Sequence, residues 1–571
     1  MKHAPDGGEA ILEAFRKLEV DYVFSSPGTE WAPVWEAVAN QISDGKNGPG
    51  FMDFWHETLA VDVATGYTMA TGRMQGVLLH AGSGLMQGVM GIHAAWVASI
   101  PMVVISGETI TYGEQPDFDP GAQWINNLSI PGSTTRLVEP VCKYASHSAS
   151  AHTIYESVVR SGEMAQRHPT GPTYLSVTTE LLMEEWTPPA NGGRTVPAAP
   201  RTLTAPEDIE RLAARIAAAK NPVILTESAG REVETFEALV ALCEELALPV
   251  VEKMGAWYAN FPKDHPLHQG HNFQQYWEEA DLVIVIRCRA PWYPPSARPP
   301  KAVIAMIDEN PHSESMTYQS HQADMYLEGN VAQSLRDLAE AVKAKGLDSA
   351  AIEARRDALT SSHNALVEKK KAQRIEARGK KLIDPLWLCE AMNNTLPDGT
   401  IYVDEVTTHT SLLRQHLDWN RPQSLFTRRG GLGQGLGLSL GVKLAKPDRP
   451  VVTLIGDGAF LYNPALGALG AARDYDLPTL TVIFNNKKYA TMQGMHLQMY
   501  PDGTAVDTDT FHGTHINAPD FAKIAESFDA YGEQVTDPEE LEAALQRGLD
   551  ATREGRSAIL DVIIGDHKRV R

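Results

Sequence analysis

The stretch VVTLIGDGAF (Val451–Phe460), followed by LPTLTVIFNN (Leu477–Asn486), is the most informative in the chain. An apolar, β-branched run enters Gly456-Asp457-Gly458, and 26 residues separate Gly458 from Asn485. That length fits one crossover helix returning to a neighbouring parallel strand, which places Asp457 and the Asn pair at one sheet edge. Asp457 offers a hard carboxylate oxygen and Asn486 an amide oxygen, a donor pair suited to Mg²⁺ shared with phosphate oxygens and water. Gly456 and Gly458 let backbone N–H groups approach a diphosphate, and a helix beginning near Ala459 would add its positive end. Taken alone, the motif also fits an ordinary strand-to-helix turn.

Outward from this segment the same alternation recurs. Short Val/Ile/Leu runs are followed by longer Ala/Leu/Glu segments of helical period. The runs are Tyr22–Phe24, Gly76–His80, Met102–Ser106 and Thr173–Val177, then Pro222–Leu225, Pro249–Glu252, Asp281–Ile286 and Ala302–Ile307, and finally Ile401–Val403, Val451–Ile455, Thr479–Phe484 and Ala558–Ile563. A Pro- and Gly-rich stretch at Trp186–Pro206 and a Lys- and Arg-rich one around Ala351–Lys381 read as a linker and an exposed helix leading into a connector. The expectation is an α/β chain of three doubly wound parallel-sheet domains, at 1–185, 205–345 and 380–571. Ligand-binding residues should follow the strand ends.

Composition excludes several classes. Fifty Lys plus Arg against 72 Asp plus Glu give a net charge of −22, which argues against sequence-independent nucleic-acid binding and a basic membrane-surface role. A mean hydropathy of −0.25 suits neither a disordered chain nor a membrane bundle. The opening MKHAPDGGEA lacks the apolar core of a signal peptide. Cys142, Cys243, Cys288 and Cys389 lie too far apart for a CxxC pair. The expected setting is cytoplasmic, without a disulfide framework.

The GDG…NN pattern, with the blocks around it, resembles the signature of thiamine-diphosphate-dependent enzymes. The resemblance extends over essentially the whole chain, to the group containing acetolactate synthase, pyruvate oxidase, benzoylformate decarboxylase, oxalyl-CoA decarboxylase and the 2-hydroxyacyl-CoA lyases. It implies thiamine diphosphate and Mg²⁺ as cofactors, with the metal on Asp457, Asn486 and the Lys488 carbonyl. DEVTTHT (Asp404–Thr410) resembles the diphosphate-holding segment, so Thr407 and Thr408 are candidates alongside Gly456, Gly458 and Ala459. RRGGLGQGLG (Arg428–Gly437) resembles the aminopyrimidine turn, in which the Gly430 carbonyl would accept from the 4′-amino group and Leu432 would wedge under the bent cofactor; ordinary core packing is the alternative for Leu432.

In VFSSPGTEWAPV (Val23–Val34) and FWHETLAVDVATGYTMATGR (Phe54–Arg73) the resemblance makes Glu57 the carboxylate that hydrogen-bonds N1′ and promotes loss of the C2 proton. A lone Glu there would otherwise be a helix-dipole partner. His80, in the benzoylformate-decarboxylase-like LH-x-x-x-G pattern, and Gln123 are further catalytic candidates, and Ser26, Thr29, Gln87, Met492 and Gln493 face the substrate in the same alignment. A single His after an apolar strand is as readily a satisfied structural group. Thr29 replaces the Ser of benzoylformate decarboxylase, and RCRAPWYPPSARPP (Arg287–Pro300) lacks that enzyme's second His.

The resemblance further implies a homodimer or homotetramer with active sites at the subunit interface. The activity implied is cleavage or formation of a C–C bond next to a carbonyl, by a 2-oxo acid decarboxylase or carboligase. The alternatives are a 2-hydroxyacyl-CoA lyase, with the basic tail GDHKRVR (Gly565–Arg571) as a lid rather than a frayed end, and a non-catalytic thiamine-diphosphate-binding homologue. FAD or ADP in the central domain is conceivable but not favoured, since the Asn221–Val251 block carries only Gly230 in its loop.

Overall fold

Burial follows the alternation of apolar runs and amphipathic segments. In the computed structural model, which describes residues 4–108, 123–126, 128–130, 132–313, 315–316, 322–346 and 348–565, these runs form three all-parallel sheets. The first holds β1 (Tyr22–Ser25), β2 (Gly50–Asp53), β3 (Gln75–Leu79), β4 (Met102–Glu108), β5 (Tyr144–His147) and β6 (Pro172–Thr178) in the order β2-β1-β3-β4-β6-β5. The second holds β7 (Pro222–Thr226), β8 (Val250–Glu252), β9 (Leu282–Ile286), β10 (Val303–Asp308) and β11 (Met325–Glu328) in the order β11-β10-β9-β7-β8. The third holds β12 (Ile401–Glu405), β13 (Leu425–Thr427), β14 (Val451–Gly456), β15 (Leu480–Asn485), β16 (Tyr531–Val535) and β17 (Ala558–Ile563) in the order β13-β12-β14-β15-β17-β16. Central strands such as β3, β7, β9 and β15 are buried along their whole length, as parallel strands covered on both faces must be.

The first and third sheets share one strand order when each is numbered from its own first strand. In both, the first and third strands lie side by side and the chain leaves them in opposite directions. That is a topological switch point, where a crevice opens beyond the strand carboxyl ends. Five strands not anticipated from sequence, β2, β5, β11, β13 and β16, all lie at sheet edges. Burial of β2, β5, β11 and β16 is patchier, β13 is buried but only three residues long, and short or half-wetted strands carry little apolar signal.

The chain divides into two compact units, Met1–Pro200 with Arg428–Lys446 and Asn463–Ala471, and Arg201–Thr427 with Pro447–Tyr462 and Ala472–Arg571. In the first unit, helix Glu57–Thr71 packs on helix Gly435–Ala445 at backbone distance. A Cβ on Gly66 would lie 2.2 Å from the Leu438 carbonyl oxygen, and one on Gly441 would lie 2.1 Å from that of Val63. Gln434 Nε2 donates to Asp62 Oδ1 at 2.8 Å in the same buried seam. In the second unit, Lys- and Arg-rich Ser349–Arg378 is a single 30-residue helix. The segment after Asp457 forms two helices, Asp457–Tyr462 and Ala465–Asp474, so the first begins two residues earlier than Ala459 and stops before Pro464, where a proline cannot donate to the helix. Among the described residues no helix is long and apolar enough to cross a membrane. The four cysteines are buried free thiols.

Candidate active site

In the first unit, parallel pairing sets Ser25 beside Leu78 and Asp53, so the turns leaving β1, β2 and β3 meet at one edge. Ser26 is buried and Thr29 opens a one-turn helix, Thr29–Trp31, after the Pro-Gly turn. Helix Glu57–Thr71 is capped by His56, whose Nδ1 accepts from Thr58 N at 3.2 Å. The cap is therefore not Glu57. Its carboxylate makes no hydrogen bond among the described residues, and its Oε1 occupies space that a side chain at Gly84 would need, 2.8 Å from a Cβ built there.

His80 follows β3. Its Nδ1 lies 2.9 Å from both carboxylate oxygens of Glu30, whose side chain is fully buried and also accepts from Ala81 N at 2.7 Å. The hydrogen bond to Glu30 raises the imidazole's affinity for its proton, opposed by burial and reinforced by the Glu30 and Glu57 charges. With Nδ1 tied to Glu30, Nε2 is left as the ring's working nitrogen. Glycines make the cluster fit: a Cβ on Gly28 would fall 2.5 Å from His80 Nδ1, and one on Gly107 would fall 2.3 Å from Glu30 Cγ.

Glu30 did not stand out in the sequence. An acid just before a helix is routinely exposed, and only its place after β1, beside the strand that delivers His80, could have marked it. Gln87 is exposed on helix Ser83–Val97, where its carbonyl accepts from Thr58 Oγ1 at 2.5 Å. Gln123 begins the one-turn helix Gln123–Asn126, with its side chain outside the described residues. Gly430 has a left-handed φ of 72°, and its carbonyl accepts from His93 Nδ1 at 2.8 Å. Leu432 is 43% exposed, which core packing would not leave.

In the second unit, pairing of Glu405 with Ile455 and of Gly456 with Phe484 brings the ends of β12, β14 and β15 together. Thr407 and Thr408 follow β12, and Thr408 Oγ1 lies 3.2 Å from Thr491 Oγ1. Beneath them a buried ion pair, Arg414 to Asp404 at 2.7 Å, fixes the turn, since Asp404 also accepts from Val406 N at 2.8 Å. The Asp457 carboxylate accepts from Gly458 N at 2.8 Å and Lys488 N at 3.2 Å, and Lys488 N also reaches Asn486 Oδ1 at 3.1 Å. Two side-chain oxygens thus converge on one N–H. Asn485 has a different task, holding Asp561 at 2.8 Å and Lys487 N at 3.1 Å. Lys487 takes a left-handed φ of 56°, which turns the chain after Asn486.

Burial pushes the Asp457 carboxyl up to about 6, against its backbone hydrogen bonds, and it has no ion-pair partner among the described residues. A Cβ on Gly456 would meet nothing within 4 Å, so space lies open beside the strand end. A buried, uncompensated carboxylate next to an amide oxygen and open space fits a hard divalent cation carrying phosphate oxygens. Met492 and Gln493 lie in the first turn of helix Ala490–Met499, Met492 exposed and Gln493 half-buried. Residues 566–571, most of the basic tail, lie outside the described residues.

Past the ends of β7 and β9 in the central sheet lies a cluster of buried ion pairs. Buried Arg287 pairs with Glu232 and Glu309, and Arg231 binds Glu232 at 2.6 Å. A Cβ on Gly230 would meet the Ala259 carbonyl oxygen at 1.8 Å.

Comparison with known proteins gives these arrangements a family. The chain is 24% identical to benzoylformate decarboxylase of Pseudomonas aeruginosa over 95% of its length and 96% of that protein. It is 25% identical to acetolactate synthase isozyme 3 large subunit of Escherichia coli over 99% and 96%. The fold matches a thiamine diphosphate-dependent 4-hydroxybenzoylformate decarboxylase of Rhodococcus jostii with a TM-score of 0.78 at 22% identity, covering 99% of this chain and 100% of that one. Models of the thiamine pyrophosphate enzyme N-terminal TPP binding domain, central domain and C-terminal TPP binding domain match residues 5–129, 209–338 and 405–562. Matched by all three domains in order, the chain belongs to the thiamine pyrophosphate enzymes.

Proposed function

We propose that this enzyme decarboxylates a 2-oxo acid and releases the product by protonation, in the manner of its benzoylformate-decarboxylase-like relatives. The observation that carries the reading is the His80–Glu30 pair beside Glu57. Thiamine diphosphate, when bound, supplies an electron sink for the pair of electrons released from the substrate. Glu57 would donate a proton to N1′ of the aminopyrimidine or share one with it. Mg²⁺ would be held by Asp457, Asn486 and the Lys488 carbonyl, with Thr407, Thr408, Gly456, Gly458 and Ala459 around the diphosphate. Gly430 and Leu432 would receive the aminopyrimidine, and the exposure of Leu432 supports that role.

Release of an aldehyde requires a proton at the former acyl carbon, whereas ligation requires a second carbonyl compound there instead. His80 is fitted to the first task. Its Nε2 can carry a proton whose retention Glu30 favours, and Nδ1 is already engaged. Ser26, Thr29, Gln87, Gln123, Met492 and Gln493 would shape the substrate pocket. In this reading the domains run 1–185, 205–345 and 380–571. The buried ion pairs past β7 and β9 and the close backbone approach at Gly230 support a structural role for the middle domain, with FAD or ADP not favoured there. The working form is a homodimer or homotetramer with sites at the subunit interface.

The test is a panel of 2-oxo acids and 2-hydroxyacyl-CoAs, with products identified by mass. The expected result is conversion of a 2-oxo acid to the aldehyde and CO₂, dependent on thiamine diphosphate and Mg²⁺. Consumption of an acyl-CoA alone would move the assignment to a lyase. Consumption of nothing would remove the substrate class.

A further inference from the structure

Away from these residues, the edge of the central sheet carries a buried cluster that the thiamine chemistry does not use. Glu252 ends β8, and the segment after His265 runs alongside it: Gln269 N donates to the Val250 carbonyl at 2.8 Å and Glu252 N to the Gly270 carbonyl at 3.0 Å. This pairing brings His268 and His271 to the Glu252 carboxylate. One ligand atom from each of the three lies within 4.8 Å of the others. The residues are 0%, 2% and 8% exposed in the order Glu252, His268, His271.

The three side chains are unequally satisfied. Glu252 Oε1 accepts from Asn260 N at 3.0 Å, and Oε2 meets His268 Nε2 at 3.1 Å. His271 has no hydrogen-bond partner at either ring nitrogen, although it is buried against His268 with ring centroids 5.7 Å apart and planes at 75°. A buried imidazole with both nitrogens unfilled departs from the general rule that buried polar groups are paired.

We infer that Glu252, His268 and His271 form a site for a divalent transition metal of the zinc class, which clips the His265–Asn272 segment to the edge of the central sheet. Two imidazoles and one carboxylate are a common three-ligand protein set for Zn²⁺, leaving one position for water. The same set is poor for Mg²⁺, which prefers oxygen ligands and keeps its waters.

The ionisation states agree with this assignment. Burial pushes both imidazoles below their ordinary value, which favours the neutral form that binds a metal, and Glu252 is held below its ordinary value despite its burial, by the hydrogen bond from His268 and by positive charge that includes Lys263. The cations nearby are Lys263 and Lys370, and burial pushes both down, Lys370 to about 8. Lys263 is engaged elsewhere, donating to the carbonyls of Arg414 and Leu417. The arrangement has an outer layer as well: the Asn260 amide orients the carboxylate, and His363 Nδ1 contacts the His268 carbonyl at 2.8 Å.

The experiment uses the full chain with thiamine diphosphate and excess Mg²⁺. ZnCl₂ is added, unbound metal is removed by gel filtration, and metal per chain is measured by elemental analysis for wild type and His271→Gln. The wild type should retain one zinc per chain that the variant loses. The affinity loss should exceed the roughly 10–100-fold that follows removal of a mere outer-layer partner. Equal retention by both proteins, or none by the wild type, overturns the site.

Should His271→Gln fail to fold by circular dichroism, Co²⁺ added to the wild type decides. Intense visible absorption of a four-coordinate ion with nitrogen ligands is expected, and only the weak bands of a six-coordinate, oxygen-ligated ion would overturn the site. Neither readout depends on catalysis, so the outcome is independent of the proposed reaction.

Discussion

His80 Nδ1 lies 2.9 Å from each carboxylate oxygen of Glu30, a residue with no exposed side-chain surface, and this pairing fixes which imidazole nitrogen is available. The hydrogen bond to Glu30 is the largest influence raising the His80 pKa, so the ring keeps its proton to higher pH than an ordinary histidine. The associated stabilisation is complete at pH below the unfolded histidine value and is lost as pH rises through the folded one. Replacing Glu30 by Gln should lower the His80 titration midpoint, read by NMR of ¹³C-labelled histidine. The alkaline limb of the kcat profile should move to lower pH with it. An unmoved midpoint would show that Glu30 does not hold the ring's proton.

Removing the imidazole tests its role in turnover. His80→Ala should reduce kcat by roughly 10²–10⁴-fold, the usual contribution of a positioned acid–base group. Cofactor affinity, followed by near-UV circular dichroism on titration with thiamine diphosphate, should stay within a few-fold of wild type. A loss of affinity with unchanged kcat would assign His80 to binding.

Gly84 separates Glu57 from His80. A methyl group there would stand 2.6 Å from His80 Cβ and 2.8 Å from Glu57 Oε1, closer than atoms tolerate, so one or both side chains must shift. Overpacking of this kind should destabilise Gly84→Ala by about 1–3 kcal/mol. Under conditions where the variant remains folded by circular dichroism, activity should fall at least about tenfold, in line with the sensitivity of catalysis to small misplacements. Activity near that of wild type would mean that the Glu57 position is not critical.

Much of the fold was legible because central parallel strands are buried on both faces and announce themselves as apolar runs. Strands β3, β9, β14 and β15 are of this kind. The edge strands were not, since Gly50–Asp53 and Tyr144–His147 have one wetted side and few apolar residues to show. The meeting of Asp457 and Asn486 at the ends of β14 and β15 was legible because one crossover of that length returns to a neighbouring parallel strand. Glu30 was not, because its burial arises only when Gly28, in the turn after β1, and Gly107, on β4, both leave room for its carboxylate. The distinct tasks of Asn485 and Asn486 likewise depend on Asp561, which reaches the pair from β17.

The third-sheet turn rests on a buried charge pair. Arg414 binds Asp404 at 2.7 Å and Thr427 Oγ1 at 2.6 Å with no exposed side-chain surface. Arg414→Met would leave the Asp404 charge buried without its partner, which should cost about 3–5 kcal/mol in urea unfolding. Asp404→Asn together with Arg414→Met should recover part of that loss. A single-variant loss below about 1 kcal/mol would show that solvent reaches Asp404.

In the first unit the seam between helices Glu57–Thr71 and Gly435–Ala445 depends on the absence of side chains. Gly66→Ala places a methyl 2.2 Å from the Leu438 carbonyl oxygen, a backbone atom that cannot rotate away. Overpacking should destabilise by about 1–3 kcal/mol, outweighing the roughly 1 kcal/mol that Ala gains over Gly in a helix. Unfolding midpoints of the two proteins give the sign directly, and an increase would show that the helices can part without loss.

In the proposed reading Glu57 would activate bound thiamine diphosphate, and Asp457 and Asn486 would hold its metal. Hydrogen–deuterium exchange at C2 of the bound cofactor, quenched and read by NMR, measures that activation without any substrate. Wild type with Mg²⁺ should exchange at least about 100-fold faster than Glu57→Gln, the range of positioned acid–base catalysis, with cofactor bound in both. Equal exchange rates in the two loaded proteins would contradict the assignment.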